Sequence, residues 1–274
     1  MSAANRSNDP DDAGAVPPRA PNPEASTEDD ERPVPPSLPP SPQDPTGDFF
    51  VSSLTIALVR HGVTDMTTTQ QLSGSSVAGP SLNAAGRVQA ARAADAMYRL
   101  GRDTWENLAP VTRVIASPMQ RTQDTGAALG RRLGVHVETD DRAREVDFGD
   151  WEGLTAEQAG ARDGDLIRRW GGGAVAAPGG ESIAMVGVRM EALVCDLAQA
   201  HAKQCASRDT ARTIAIASHA VAIKACVAVS LGMEPERMGR IWPAPATYTL
   251  LHLRVTSDGT IAERHLLCLG VPTG

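Results

Sequence analysis

The sequence predicts an α/β fold with three layers, α/β/α, around a mainly parallel central sheet. From residue 49 onward, short apolar runs of strand length alternate with segments whose apolar residues recur at helical spacing. The runs are almost wholly apolar, as in strands that helices cover on both faces. No internal repeat is visible, so residues 49–274 are interpreted as one domain.

The first half of this domain begins with two strands and two helices. Residues 54–59 (LTIALV) form the first apolar run, and residues 111–116 (VTRVIA) are expected to form the second strand. Between them, residues 82–100 are rich in alanine and carry apolar side chains at helical spacing. Ser117 is expected to cap the next helix, because Pro118 stands at the first helical position and a glutamine completes a capping box.

The second half continues the same alternation. A short strand at 135–138 precedes an irregular stretch, and the serine of PGGES or the glycine before it is expected to begin a long helix. The residues SDG between the two closing strands are typical of a turn. The remaining elements are, in order, one or two short helices within 155–170, the long helix from Ser182 to about Ala206, a strand at 213–218, a helix at 219–232, and strands near 246–255 and 260–269.

Residues 1–48 differ in composition from the rest of the chain. They hold ten acidic residues, three arginines and twelve of the twenty prolines. Few large apolar side chains are present, so this stretch cannot bury enough area to offset its chain entropy. We interpret residues 1–48 as a disordered, acidic, proline-rich tail.

The charge balance and the cysteines exclude several classes of protein. The chain carries −7, and the tail accounts for all of it, since ten acidic and three basic residues also give −7. Residues 49–274 are therefore close to neutral, and binding to nucleic acid or a membrane surface is not expected. No apolar run approaches the roughly 20 residues of a membrane span, and no signal-peptide pattern is visible. The four scattered cysteines suit reduced thiols in the cytoplasm.

Charged side chains follow three of the predicted strands. Arg60 and His61 follow the first strand, Arg121 lies one helical turn beyond the second, and His219 follows the strand at 213–218. In open α/β sheets, sites form beyond the carboxyl ends of neighbouring strands. Two arginines can hold a phosphoryl group, and a neutral imidazole can attack its phosphorus. Because successive side chains of a strand point to opposite faces, Arg60 and His61 can share one phosphate only if the strand ends there.

These side chains contain all that phosphoryl transfer requires except a proton donor for the leaving group. The stretch REVDFGDWEG offers Glu145 for this role. Asp147 and Glu152 of the same stretch are left open as alternatives.

Five sequence blocks resemble the histidine phosphatase superfamily, in the phosphoglycerate-mutase-like branch with its RHG signature. The blocks LVRHGVT, ASPMQRTQDT, REVDFGDWEGLT, PGGES and ASHAVAIK occur in the order and at the approximate spacings of that family. The resemblance covers about residues 54–270, and within the family the chain looks most like the acid phosphatase domains of actinobacteria.

The resemblance implies a role for each matching position, and it implies neither a metal nor a cofactor. The catalytic set is His61 as the nucleophile that becomes phosphohistidine, Arg60 and Arg121 as the groups that hold the phosphoryl oxygens, His219 as a further bond to those oxygens, and Glu145 as the acid and base. The substrate-binding positions are Thr67, Ser73, Gly74 and Ala220.

The expected function is that of a metal-independent phosphomonoesterase, similar to acid phosphatases, with a small phosphorylated metabolite as its partner. A cofactor-dependent phosphoglycerate mutase is the alternative enzyme. Mutases of this family usually carry a tyrosine where this chain has Phe148 and a basic insertion that WEGLTAEQAG lacks. In the family as a whole the residue after RHG is often Glu or Gln, and here it is Val63. The non-enzyme alternative is a phosphate-binding pseudoenzyme scaffold. A homodimer paired through the closing strands is also left open.

Overall fold

A computed structural model describes residues 51–205 and 210–274, in which six strands form one sheet. The strands are β1 (Val51–Arg60), β2 (Val111–Ala116), β3 (Val137–Thr139), β4 (Ala211–Ser218), β5 (Tyr248–Thr256) and β6 (Ile261–Val271). They lie side by side in the order β3-β2-β4-β1-β5-β6. The pairings among the first four strands are parallel, and β5 and β6 run antiparallel. The predicted, mainly parallel sheet is confirmed.

Helices cover both faces of the sheet. Leu54, Ile56 and Leu58 of β1 are buried in one apolar cluster, and Ala57 and Val59 are buried in the cluster on the opposite face. The helices of the described residues are α1 (Asp65–Thr68), α2 (Ala84–Arg99), α3 (Gln120–Leu133), α4 (Ala156–Asp163), α5 (Leu166–Gly171), α6 (Ile183–Gln204) and α7 (Ala220–Ser230). α6 and α7 belong to the first cluster, and α2 and α3 belong to the second. The three-layer α/β/α prediction is confirmed.

The tail predicted for residues 1–48 lies outside the described residues, so it stays a prediction, as does the domain boundary at residue 49. None of the helices in the described part of the chain is long and apolar enough to cross a membrane. β6 forms one edge of the sheet. A homodimer paired through that edge stays a prediction, and so does the cytoplasmic location.

The start predicted for the helix after β2 is wrong. α3 begins at Gln120, and its cap residue, Met119, makes no side-chain cap hydrogen bond. Ser117 Oγ instead lies 2.8 Å from Nε2 of His219, and the Gln120 side chain donates to Asp124. Ser117 Oγ also accepts from Met119 N at 3.4 Å, but Ser117 stays at the sheet edge, outside α3.

β1 ends at Arg60, as the prediction of a shared ligand requires. The loop that follows β1 passes close to the start of α2. A Cβ on Gly62 would overlap the carbonyl oxygen of Gly86, and a Cβ on Gly86 would overlap the carbonyl oxygen of Val63. The two glycines are therefore required by the close approach of this loop to α2.

Candidate active site

The carboxyl ends of three adjacent strands meet at one edge of the sheet. β4 lies between β2 and β1, so the three strand ends bring His61, Ser117 and His219 together. His61 N donates to Ser218 O and Ser117 N donates to Ala217 O, both at 3.0 Å. The imidazole centroids of His61 and His219 are 5.2 Å apart. The three strands are neighbours in the sheet, as the predicted site requires.

His61 is buried, with Nδ1 2.7 Å from the carbonyl oxygen of Gly62. Because a carbonyl only accepts, Nδ1 carries the proton of the neutral ring and the lone pair lies on Nε2. Burial, and then the charges of Arg121 and Arg60, hold the pKa of His61 well below 6.5. The ring is therefore neutral near pH 7, with Nε2 available as a nucleophile.

His219 is fully buried and is held through both ring nitrogens. Arg121 Nε donates to its Nδ1 at 3.2 Å, so Nε2 carries the proton and donates to Ser117 Oγ at 2.8 Å. Burial and the positive charge of Arg121 hold the pKa of His219 well below 6.5. In this arrangement His219 orients Arg121. The family resemblance implies that His219 donates a hydrogen bond to the phosphoryl oxygens. That role requires a second proton, on Nδ1 of His219.

Arg60 and Arg121 each use part of the guanidinium group to bind the backbone. Arg60 Nη1 donates to Pro243 O at 2.8 Å, and Arg121 Nη2 donates to Ser73 O and Gly74 O at 2.9 and 3.1 Å. Burial lowers the pKa of both guanidinium groups, although arginine stays charged in proteins. Both cations are thus fixed in place before any ligand arrives.

Three buried donors at this edge have no partner among the described residues. They are Arg60 Nε, Arg121 Nη1 and Ser73 Oγ. Arg121 Nη1 and Ser73 Oγ both adjoin Gly79, at which a Cβ would overlap the guanidinium group. Buried polar groups are nearly always hydrogen-bonded, so a cluster of orphaned donors indicates a ligand position. Two cationic donors and a hydroxyl suit the oxygens of a phosphoryl group.

Glu145 is buried against the N-terminus of α7. Its carboxylate accepts from Val146 N at 2.9 Å and from the N–H groups of Val221 and Ala222, both at 3.3 Å. Its own carbonyl oxygen accepts from Arg189 Nη2 at 2.8 Å. The helix end fixes the side chain, and Arg189 fixes the backbone.

The two alternative carboxylates lie in different surroundings. Asp147 Oδ1 accepts from Gly149 N at 2.8 Å, within its own loop. Glu152 is half-buried, its Oε2 accepts from Gly74 N at 2.8 Å, and burial raises its pKa. Glu152 is therefore a second carboxylate beside the site, and its role must be separated from that of Glu145 by substitution.

The four predicted substrate-binding positions differ in what they present. Thr67 Oγ1 lies 3.0 Å from Thr64 Oγ1, and Gly74 has both its N–H and its carbonyl engaged by site side chains. Ala220 is the buried first residue of α7. Ser73 is the one of the four whose side chain is an orphaned buried donor.

Sequence reasoning assigned no role to two residues beside Arg60. Lys224 of α7 is buried, with its ammonium 5.0 Å from the ring centroid of Trp242. Trp242 follows a 3₁₀ helix at Pro235–Arg240 that the sequence did not predict, and the next residue, Pro243, binds Arg60. A signal for Lys224 did exist, because it lies within the block ASHAVAIK and is one of only two lysines in the chain.

The histidine phosphatase superfamily (branch 1) matches this chain over residues 56–265. A bifunctional protein of Mycobacterium tuberculosis strain H37Rv is 38% identical over 128 residues, which are 46% of this chain and 32% of that protein. The matched part thus spans about a third of that relative's length.

Two further relatives match most of the described residues. Glucosyl-3-phosphoglycerate phosphatase of the same organism is 31% identical over 190 residues, 69% of this chain and 78% of that enzyme. The solved structure of a mycobacterial glucosyl-3-phosphoglycerate phosphatase in complex with VO3 superposes with a TM-score of 0.68 at 27% identity, over 79% of this chain and 99% of the other.

Proposed function

The chain belongs to the histidine phosphatase superfamily (branch 1), and we propose that it is a phosphomonoesterase that hydrolyses a small phosphorylated metabolite through phosphohistidine at His61. One observation carries this proposal: a neutral His61 with a free Nε2 lies at the edge where three buried donors are orphaned. A phosphoryl group would offer phosphorus to Nε2 and oxygens to Arg60, Arg121 and Ser73.

In the first step, the Nε2 lone pair of His61 forms a bond to phosphorus while the bond from phosphorus to the alcohol oxygen breaks. The alcohol oxygen takes a proton from the Glu145 carboxyl group, so the alcohol leaves neutral. The ring gains positive charge, and the bond from Nδ1–H to Gly62 O orients and stabilises it. The two arginines stabilise the charge on the phosphoryl oxygens throughout.

In the second step, water attacks the phosphorus of phosphohistidine. The Glu145 carboxylate takes a proton from that water, the P–N bond breaks, and its electron pair returns to Nε2 of His61. Inorganic phosphate leaves, and both groups regain their starting protonation states. Since two guanidinium groups meet the charge on the transferred group, we propose that no metal takes part.

The test is hydrolysis of p-nitrophenyl phosphate in the presence of EDTA. We expect turnover by the wild type and a loss of at least about 10³-fold for His61→Ala, because removal of a nucleophile disables the whole catalytic set. His136→Ala, which changes an exposed histidine, serves as the matched control. Labelled substrate should leave acid-labile label on the wild type and none on His61→Ala. Wild-type turnover no faster than that of His61→Ala would contradict the proposal.

The two alternatives predict different products. A mutase would isomerise 3-phosphoglycerate in the presence of 2,3-bisphosphoglycerate faster than it releases inorganic phosphate. A pseudoenzyme would bind inorganic phosphate without turnover. We expect phosphate release to exceed isomerisation.

A further inference from the structure

Arg189 of α6 uses all five of its N–H donors on groups of the protein itself. Its Nη1 donates to Arg142 O and Arg144 O, both at 2.7 Å, and its Nη2 donates to Glu145 O at 2.8 Å. Nε and the second N–H of Nη2 donate to the Glu181 carboxylate at 3.2 and 3.0 Å. An arginine carries five donors, so none is left for a ligand. Arg189 therefore serves the backbone segment that contains Glu145, not a substrate.

Glu181 fixes the same segment on the other side of Glu145. Its Oε2 accepts from Asp147 N at 3.0 Å, and its own backbone N–H donates to Asp147 O at 2.8 Å. Burial raises the pKa of Glu181, but the hydrogen bonds and the charge of Arg189 hold it below its usual value, so the carboxylate is ionised. Glu145 thus lies between two fixed points, its own carbonyl oxygen on Arg189 and the backbone of Asp147 on Glu181.

Two glycines let the turn that carries Glu181 approach this segment closely. A Cβ on Gly180 would overlap the carbonyl oxygen of Asp147, and a Cβ on Gly149 would overlap the carbonyl oxygen of Pro178. The turn and the segment therefore interlock through their backbones. A displacement of the turn would move the backbone next to the proposed acid.

The ion pair between Glu181 and Arg189 supplies direction more than stability. The two side chains are only 13% and 12% exposed. A buried ion pair contributes little net stability, because the desolvation of both charges offsets their attraction. Two hydrogen bonds between a carboxylate and a guanidinium group do fix the orientation of both. Proton transfer depends on such orientation, since a misplacement of about 1 Å can cost about 10²-fold in rate.

We propose that Glu181 is a positioning residue for the general acid. It holds Arg189 and the backbone of Asp147, and these hold Glu145 where its carboxyl group reaches the leaving oxygen. Glu181 itself touches no substrate. This role rests on the proposed function, because it needs Glu145 to protonate the departing alcohol.

The test is Glu181→Gln, with kcat/KM measured on glycerol 3-phosphate and on p-nitrophenyl phosphate. A glutamine amide has one acceptor oxygen where the carboxylate has two, so either Arg189 or Asp147 N–H loses a bond. The alkyl ester needs a proton on its leaving oxygen, whereas p-nitrophenolate leaves without one. Glu191→Gln is the matched control, because it makes the same change in the ion pair that joins α6 to Arg264 of β6.

We expect Glu181→Gln to lower kcat/KM for glycerol 3-phosphate by about 10- to 100-fold and for p-nitrophenyl phosphate by less than about threefold. In a Glu145→Gln background, Glu181→Gln should no longer change the ratio of the two values, because the group that Glu181 positions is gone. Glu191→Gln should keep the ratio of the wild type.

Three outcomes would overturn the role of Glu181. An equal loss on both esters, or a lower melting temperature with an unchanged ratio, would show a structural role only. A change of the ratio that persists in the Glu145→Gln background would show that Glu181 does not act through Glu145. The same change of the ratio in Glu191→Gln would show that the ratio responds to the loss of any ion pair on α6.

A wild type that hydrolyses aryl esters alone is tested with phenyl phosphate in place of glycerol 3-phosphate. Phenolate is more basic than p-nitrophenolate, so the larger loss in Glu181→Gln is expected on phenyl phosphate, and an equal loss on both would overturn the role. Failure of the proposed function looks different: the wild type would hydrolyse none of these esters, and the positioning role would fall with it.

Discussion

Replacement of Glu145 by glutamine removes the carboxyl group that would transfer the proton but keeps nearly the same side-chain shape. The carboxylate has three backbone donors: Val146 N and Ala222 N reach Oε1, and Val221 N reaches Oε2. The amide oxygen of glutamine can keep the two bonds at Oε1, whereas its NH₂ group would face Val221 N–H. One donor is thus left without an acceptor.

The expected cost in stability follows from that single lost bond. A buried donor left without a partner costs about 1–3 kcal/mol, which corresponds to a fall in melting temperature of about 2–4 °C per kcal/mol in a domain of this size. The variant should therefore remain folded. Loss of the acid should lower kcat/KM by about 10²–10⁴-fold for an alkyl phosphate, whose alkoxide needs a proton to leave.

The assay compares glycerol 3-phosphate with p-nitrophenyl phosphate, because p-nitrophenolate leaves readily without a proton. The ratio kcat/KM reports steps up to departure of the first product, so slow hydrolysis of phosphohistidine does not mask the comparison. We expect Glu145→Gln to lose far more activity on the alkyl ester than on the aryl ester. Glu152→Gln is the matched control, since its amide oxygen can still accept from Gly74 N. Two results would refute the assignment of Glu145 as the acid. One is an equal loss of kcat/KM on both esters in Glu145→Gln. The other is a greater difference between the alkyl and aryl esters in Glu152→Gln than in Glu145→Gln.

Other contacts at the site also have measurable consequences. The pKa values of His61 and His219 lie well below 6.5, so the unfolded chain binds protons that the folded site excludes, and stability should fall as the pH drops below about 6.5. The difference between the urea midpoints at about pH 7.5 and about pH 5.5 should be smaller for His61→Ala than for the wild type. An equal difference in the two proteins would contradict this. Ser117→Ala removes the acceptor of His219 Nε2–H and should cost about 1–3 kcal/mol by urea unfolding, whereas an unchanged midpoint would argue against the assigned tautomer. Arg189→Met removes the bond to the Glu145 carbonyl and should reduce kcat/KM more for glycerol 3-phosphate than for p-nitrophenyl phosphate; a uniform reduction would speak against this positioning role.

The elements that the sequence predicts best are those whose pattern is decided locally. β2 has the predicted bounds, Val111–Ala116, because this short segment, rich in β-branched residues, is closely flanked by polar or turn-forming residues. α6 begins directly after Ser182, within the predicted region, and the Ser182 side chain caps the helix by accepting from Met185 N three residues later. The cap predicted at Ser117 fails, because α3 begins three residues later, at Gln120, and the Ser117 hydroxyl group contacts His219, 102 positions away in the chain.

Much of the candidate site is visible in the sequence for a related reason. Parallel strands bring their carboxyl ends to one edge, so Arg60, His61 and His219 can be expected to meet once their strands are recognised as neighbours. The proton positions on the rings cannot be read in this way. They depend on whether Gly62 O or an Arg121 N–H faces a given nitrogen.

The sequence by itself determined the alternation of strands and helices, the family resemblance and the candidate residues, because those depend on side-chain type and order. Only the tertiary structure decided which donors stay orphaned and which nitrogen of His61 is free. The physical reason is that hydrogen bonding and desolvation are properties of distances between groups far apart in the chain. Those distances are set when the two faces of the sheet are packed.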